Sequence, residues 1–385
     1  MKSVRIAIIG GGLSGLHAAW RLERQGVHDY VVLEARNDLG GRIASVDGSG
    51  RSAPYLAGDP GQFDLGPTWF WPDYQRQLHR LVEELGLERF AQFDSGDTVV
   101  ENSPTAPPLR MRGYMNSPTS MRLVGGMRAL VNALRADVDP ARIMTGQVVS
   151  SLRREKDFVD LTAVDAAGRT CSWRAEHVLL ALPPRLAVQT IEFEPPLPPA
   201  LADEWNSTPT WMAAQAKYVA VYDTPFWREQ GLSGEGRSRS GPMVEIHDAS
   251  MPGGSAALFG FIGIPANARR AVDDDVMRAL CRAQLVRMFG PEAAALRADV
   301  VKDWAWEPYT AVPADLAGEA QHGAPPSSMA SSGAWHGRLI GIASEWSPQF
   351  PGYVAGAIEA AELGVKAMVS AKAESSGRTA TAPQA

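Results

Sequence analysis

Ile6-Ala7-Ile8-Ile9-Gly10-Gly11-Gly12-Leu13-Ser14-Gly15, and then Glu34-Ala35-Arg36-Asn37-Asp38-Leu39-Gly40-Gly41-Arg42, describe a strand, a glycine turn, a helix and a second strand ending in an acid. Each glycine has its own task. Gly10 permits the tight turn, Gly12 lets the backbone approach a pyrophosphate, and Gly15 lets helix and strand pack closely. The helix N-terminus offers unpaired N–H groups and a partial positive charge to phosphates. Glu34 ends the apolar run Val31-Val32-Leu33, where its carboxylate can accept hydrogen bonds from ribose hydroxyls. A bare glycine fingerprint is weak. A strand before it, the amphipathic stretch Leu16, Ala19, Trp20 and Leu22 after it, and the acid beyond make the unit a dinucleotide cradle. Gly40-Gly41-Arg42 adds a second cationic anchor that a nicotinamide enzyme does not need, so FAD is favoured.

The 385 residues suffice for a large core divided into two units. Hydrophobic content of 45% and charged content of 21% are those of an ordinary globular protein. A formal charge of −6 without a Lys/Arg run argues against nucleic acid. Cys171 and Cys281 are far apart and lack metal-ligand neighbours, so no metal is expected and a reducing, cytoplasmic compartment fits best. The apolar run after Lys2 and Arg5 is too short for a secretory signal, and no stretch reaches the roughly 20 apolar residues of a membrane span.

Periodicity predicts a helix over 73–93, a second from Gly125 to Ala136, and a third from Asp274 to Phe289. Residues 94–120, rich in Pro, Ser, Thr and Gly, read as a long loop over the active site or as a mobile surface excursion, the former favoured because long ordered loops are usually functional. Residues 147–149 and 159–164 read as strands of a small antiparallel unit, and 178–182 as a return to a parallel sheet. Alternation over 216–222 and 256–264 predicts a separate mixed sheet, and 339–343 with 355–369 a closing strand and helix. The fold class is α/β. A Rossmann-like FAD-binding domain (1–72, 122–206 and 304–370) interleaves with a mixed-sheet-plus-helices domain (73–121 and 207–303), which the family resemblance given next makes the substrate domain, ahead of a disordered tail at 371–385.

With these motifs in this order, the chain resembles the flavin-containing amine oxidase family, the monoamine, polyamine and L-amino-acid oxidases. Asp64-Leu65-Gly66-Pro67-Thr68-Trp69 is similar to the family's loop beside the flavin, and Gly125-Gly126-Met127 to its second Gly-Gly helix start. His177 to Pro184, the strand carrying Lys217, Trp304 to Tyr309, and Ala343 to Glu359 complete the likeness. The resemblance implies non-covalent FAD, since Val312-Pro313-Ala314 stands where covalent relatives carry a Cys. It places Val148 at the adenine, Glu345 near ribitol and pyrophosphate, and Val354 at the cofactor. Lys217 would hold a water against flavin N5, and Tyr353 would form one wall of an aromatic cage. Ala314 stands where the other wall is usual; Trp306, Trp346, Trp69 or Phe350 could compensate, with Trp306, Tyr309 and Trp346 taken as pocket residues.

The implied reaction takes a hydride equivalent from a neutral amine onto the flavin, hydrolyses the imine, and returns the electrons to O₂ as H₂O₂. A desaturase or isomerase of an apolar substrate is the enzyme rival, and an FAD-binding accessory protein without turnover the non-enzyme one. The sequence names neither the amine nor the oligomeric state.

Overall fold

The computed structural model describes residues 1–52, 61–113, 117–316 and 323–378. The chain divides into two units, one of Met1–Gly41, Leu134–Trp211 and Glu319–Ala385, the other of Arg42–Ala133 and Met212–Gly318.

In the first unit, strand Lys2–Ile9 pairs in parallel with Tyr30–Leu33 on one side and Thr170–Leu180 on the other. Helix Leu13–Arg24 connects the first two of these strands, making the expected βαβ unit. The Thr170–Leu180 strand has two partners on its far edge. Over 170–175 it runs antiparallel to Phe158–Val164, and over 178–180 parallel to Leu339–Gly341. The sheet order is Glu192–Glu194, Val148–Glu155, Phe158–Val164, Thr170–Leu180, Lys2–Ile9, Tyr30–Leu33 and Ile143–Met144. The antiparallel strands expected as a small separate unit are therefore part of the cofactor sheet. One long strand whose Trp173, Ala175 and Val178 are all buried carries both pairings.

The second unit is built on a mixed sheet ordered Ala298–Asp303, Ala216–Tyr222, Ala256–Ile262, Met243–Asp248, Leu232–Ser238, Asp97–Glu101 and Leu109–Arg112. Ala216–Tyr222, paired on both edges, is buried on both faces, which the alternation of its side chains divides. Ala216, Tyr218, Ala220 and Tyr222 face the buried stripe Met277, Cys281, Leu285 and Phe289 of helix Asp274–Phe289. Val219 and Val221 pack on the opposite side with Val46, Phe63, Leu65 and Phe259. The side chain of Asp273 caps the helix by accepting the Asp275 N–H at 2.8 Å.

Several expectations are corrected. Residues 94–120 are not simply a loop: Asp97–Glu101 and Leu109–Arg112 are antiparallel strands at the sheet edge, around Thr98-Val99-Val100. The helix expected over 73–93 is Arg76–Glu84, followed by a strand at Arg89–Ala91. The division departs from the expected one at every boundary: residues 42–72, 122–133 and 304–318 group with the substrate-side sheet, and 207–211 with the cofactor unit. The reason is local. After Arg42 the chain enters the Ser45–Val46 and Phe63–Asp64 pair, whose Val46 and Phe63 belong to the second unit's core. The last helix, Val354–Arg378, runs past the predicted start of the tail, while 379–385 lie outside the described residues. Among the described residues, no helix is long and apolar enough to cross a membrane.

Candidate cofactor and active site

The glycine turn folds as its spacing demands. Gly10 adopts φ +109°, and a Cβ there would come within 2.6 Å of the Ala181 carbonyl oxygen. A Cβ on Gly15 would strike the Gly10 carbonyl oxygen. Gly12 differs from both. Its φ is −74°, and a Cβ would meet Gly40 O and Gly41 Cα at 3.8 Å, an ordinary contact. Nothing in the protein requires the missing side chain at Gly12, so the space it leaves belongs to whatever approaches the helix start. That is the fit expected for a pyrophosphate.

Glu34 is buried at the end of its strand, and its carboxylate accepts the Gly11 N–H at 2.5 Å and the Arg36 N–H at 2.8 Å. The acid thus braces the glycine turn as well as offering its remaining lone pairs to a ribose. Gly40 donates its N–H to Gly11 O at 2.9 Å, bringing Gly40 and Gly41 beside Gly12. Gln147 donates to Glu34 O and Gly146 to Arg36 O, so the start of the Val148 strand lies alongside Glu34, Ala35 and Arg36. Leu13 and Ser14 are buried in the first helical turn. At the other end of this unit, the Ser344 hydroxyl donates to buried Glu345 at 3.1 Å, and Gly352 returns its N–H to Ser344 O. Val354 begins the last helix immediately afterwards.

In the second unit, Lys217 is 3% exposed. Its ammonium donates to Thr68 Oγ1 at 2.7 Å and Gly66 O at 3.1 Å and lies 3.9 Å from the centre of the Phe259 ring. The Gly66-Pro67-Thr68-Trp69 loop is held close because a Cβ on Gly66 would collide with the carbonyl oxygen of Arg42. Trp69 donates its indole N–H to Gln92 Oε1 at 2.7 Å and packs its ring on His247, Phe259 and Phe261. Lys217 therefore sits at the polar end of an aromatic layer. Burial lowers its pKa to about 7; the Asp64 carboxylate opposes that fall, and the Arg122 guanidinium adds to it.

Asp64, which in the sequence marks only the start of a motif, is buried in the structure and its charge acts on Lys217. Its Oδ1 accepts the Met127 N–H at 2.9 Å, which ties the Gly125-Gly126 turn to the start of the Asp64–Trp69 segment, and its Oδ2 is buried without a hydrogen-bond partner among the described residues. Burial raises its pKa, while Lys217 and Arg122 hold it down. Arg122 itself donates to the carbonyl oxygens of Ala249 and Ser250 at 2.9 and 3.0 Å. A buried acid and a buried amine thus share one interior, a relation between distant positions for which the sequence carries no spacing signal.

The aromatic candidates separate. Tyr353 is 37% exposed, and its ring lies 6.4 Å from that of Trp211. Trp306 and Tyr309 are exposed in the second unit, Trp306 beneath the Arg270 guanidinium. Trp346, expected from sequence as a pocket residue, is 3% exposed and belongs to the first unit's core cluster. It packs edge-on against Trp205 at 5.2 Å, and Gly341 has no room for a side chain against its ring. Ala314 is exposed in a short turn.

Two family profiles match the chain: Flavin containing amine oxidoreductase over residues 105–369, and NAD(P)-binding Rossmann-like domain over 8–85. Putrescine oxidase of Kocuria rosea is 26% identical, over 69% of this chain and 76% of its own length. The flavin-containing amine oxidase B of Cavia porcellus is 23% identical over 95% and 86%. Among solved structures, wild-type putrescine oxidase bound to putrescine superposes with a TM-score of 0.74 at 21% identity, over 96% of this chain and 99% of that one. Cyclohexylamine oxidase from Brevibacterium oxydans gives 0.76 at 20%, with the same coverage. Taken with a cradle whose one unexplained glycine leaves room for a pyrophosphate, these matches show that the chain belongs to the flavin-containing amine oxidoreductases, FAD-dependent enzymes of the amine oxidase type.

Proposed function

We propose that the protein oxidises a small primary or secondary amine, or an amino acid, to the imine with O₂ as final acceptor, releasing H₂O₂. Water then converts the imine to a carbonyl compound and ammonia or an amine. FAD, when bound, supplies the two-electron acceptor for the C–H bond beside nitrogen and returns those electrons to O₂. The attachment is non-covalent, since Ala311-Val312-Pro313-Ala314 offers no thiol.

The observation that carries this reading is the burial of Lys217 on two neutral oxygens and a ring face. An ordinary strand lysine keeps its ammonium in water. Here the third N–H stays available to a water or a reacting oxygen, and a pKa near 7 lets the group give or hold a proton at neutral pH. Gly12, Gly40, Gly41 and the helix start at Leu13 hold the pyrophosphate, Glu34 and Val148 the adenosine end, Glu345 lies near the ribitol and pyrophosphate, and Val354 is at the cofactor. Arg36 and Arg42 supply positive charge towards the diphosphate. Tyr353 orients the amine, with Trp306 and Tyr309 on the substrate side.

Anaerobic mixing of the yellow holoenzyme with a panel of amines, amino acids and non-amine alkenes or ketones tests the reading. Bleaching by an amine supports it. Bleaching only by a non-amine would transfer the protein to the desaturase or isomerase class, and no bleaching would leave an FAD-binding protein without turnover.

A further inference from the structure

Ala314 leaves the amine site one ring short of the pair that the resemblance calls for. Within the first unit, however, the exposed ring of Tyr353 already has an aromatic neighbour. The indole of Trp211 lies with its centre 6.4 Å away, tilted 33°.

Two further observations show that this approach is built. Gly352, beside Tyr353, takes φ +83°, and a Cβ on it would come within 2.5 Å of Trp211 Cβ and 2.8 Å of its Cγ. The residue before Tyr353 has surrendered its side chain to let the tryptophan in. On the other side, Met212 has φ 60°, the one positive φ of a non-glycine residue among the described residues. Left-handed backbone at a side chain of this size costs about 1 kcal/mol or more, and such strain gathers at functional positions. The turn that aims Trp211 is thus held against its own preference. The loop bearing Tyr353 is braced as well: Glu359 of the last helix accepts the Ser347 hydroxyl and the Gln349 N–H.

We propose that Trp211 is the second aromatic wall of the amine site, forming with Tyr353 a corner of two rings against which the amine and its nitrogen-bearing carbon are placed. The proposal rests on the amine-oxidase reading above. The indole face is the strongest of the side-chain π-surfaces for an ammonium or a polarised amine, so it replaces a tyrosine without loss of attraction. The geometry also sets the substrate's shape. Holding an alkyl group between two parallel rings requires about 7–8 Å from ring to ring, twice the carbon–carbon contact distance. At 6.4 Å and 33° the space between the rings is narrower than that, so the substrate meets them from one side. A slot grips a thin chain; a corner accepts a branched or alicyclic carbon bearing the nitrogen.

The test uses the FAD-loaded enzyme, with Trp211→Ala and Trp211→Phe, and follows anaerobic flavin bleaching by cyclopentylamine and n-pentylamine. The wild type should be reduced more efficiently by the cyclic amine. Trp211→Ala should lose roughly tenfold or more in apparent amine affinity, with flavin content and melting temperature unchanged, and Trp211→Phe should recover most of the loss. Unaltered kinetics in Trp211→Ala would overturn the assignment. So would a preference of the wild type for the linear amine, or a matching loss in both variants accompanied by lower melting temperatures. If no amine bleaches the wild type, the amine-oxidase reading itself fails, and this proposal with it.

Discussion

Lys217 and Thr68, 149 positions apart in the chain, meet through a 2.7 Å hydrogen bond in the interior of the second unit. The bond joins the buried Ala216–Tyr222 strand to the Gly66–Trp69 loop, and it gives a buried ammonium one of its two protein acceptors.

Replacing Lys217 by Met should leave FAD bound, because its ammonium contacts Gly66 O, Thr68 Oγ1 and the Phe259 ring and none of the glycines of the Gly10–Gly15 turn. Proton handling by a positioned group contributes about a hundredfold or more, so reoxidation or amine oxidation should slow by that order. Stopped-flow kinetics of each half-reaction with flavin absorbance as readout decide this; unchanged rates in both would remove Lys217 from the mechanism.

Asp64→Asn should move the pH dependence of the reaction with O₂. The carboxylate favours the charged form of Lys217, so deleting its charge lowers the lysine pKa below its value near 7. A step helped by the ammonium is fastest below that pKa and falls away as pH rises through it. The falling limb should therefore shift to lower pH by about one unit or more. Asn can still accept the Met127 N–H, which preserves the turn. A limb that stays in place or moves upward would show that Asp64 does not act on Lys217.

Gly12→Ala and Gly10→Ala should part company. A methyl at Gly12 meets only ordinary contacts and a permitted φ, so thermal stability of the cofactor-free protein should change by less than about 0.5 kcal/mol. FAD affinity should nevertheless fall steeply, since the methyl occupies the approach to the helix start. Gly10→Ala forces a left-handed φ and a backbone clash, at a cost of about 2 kcal/mol or more in stability. Thermal melts of the stripped proteins and flavin titrations measure both; equal loss of stability in the two would show that Gly12 is a packing glycine.

Trp346→Phe should lower stability by about 1–2 kcal/mol through lost ring volume against Trp205 and Gly341. Little polar energy is lost with the indole, because its N–H has no acceptor among the described residues. Amine KM should stay at the wild-type value. A changed KM with an unchanged melting temperature would return Trp346 to the pocket.

Local pattern sufficed for elements whose residues answer to near neighbours. The Gly10–Gly15 turn, the Glu34 strand end and the Asp274–Phe289 helix follow from glycine conformations, burial and 3.6-residue periodicity within one short window. Residues 97–112 escaped because the outer strand Leu109–Arg112 buries none of its side chains, and the Pro- and Ser-rich connection has the composition of a loop.

Motif spacing determined the α/β class and the dinucleotide cradle, since these depend on backbone geometry that glycine and an acid at set intervals impose, while the flavin chemistry followed from the resemblance of the ordered motifs to a known family. Only the tertiary structure decided where residue 42 leaves one unit for the other, that Trp346 is core, that Asp64 shares an interior with Lys217, and that Trp211 stands beside Tyr353. Each of those facts is a contact or a burial between positions far apart in the chain. A side chain's burial, charge state and ring partner are set by what the rest of the fold brings to it.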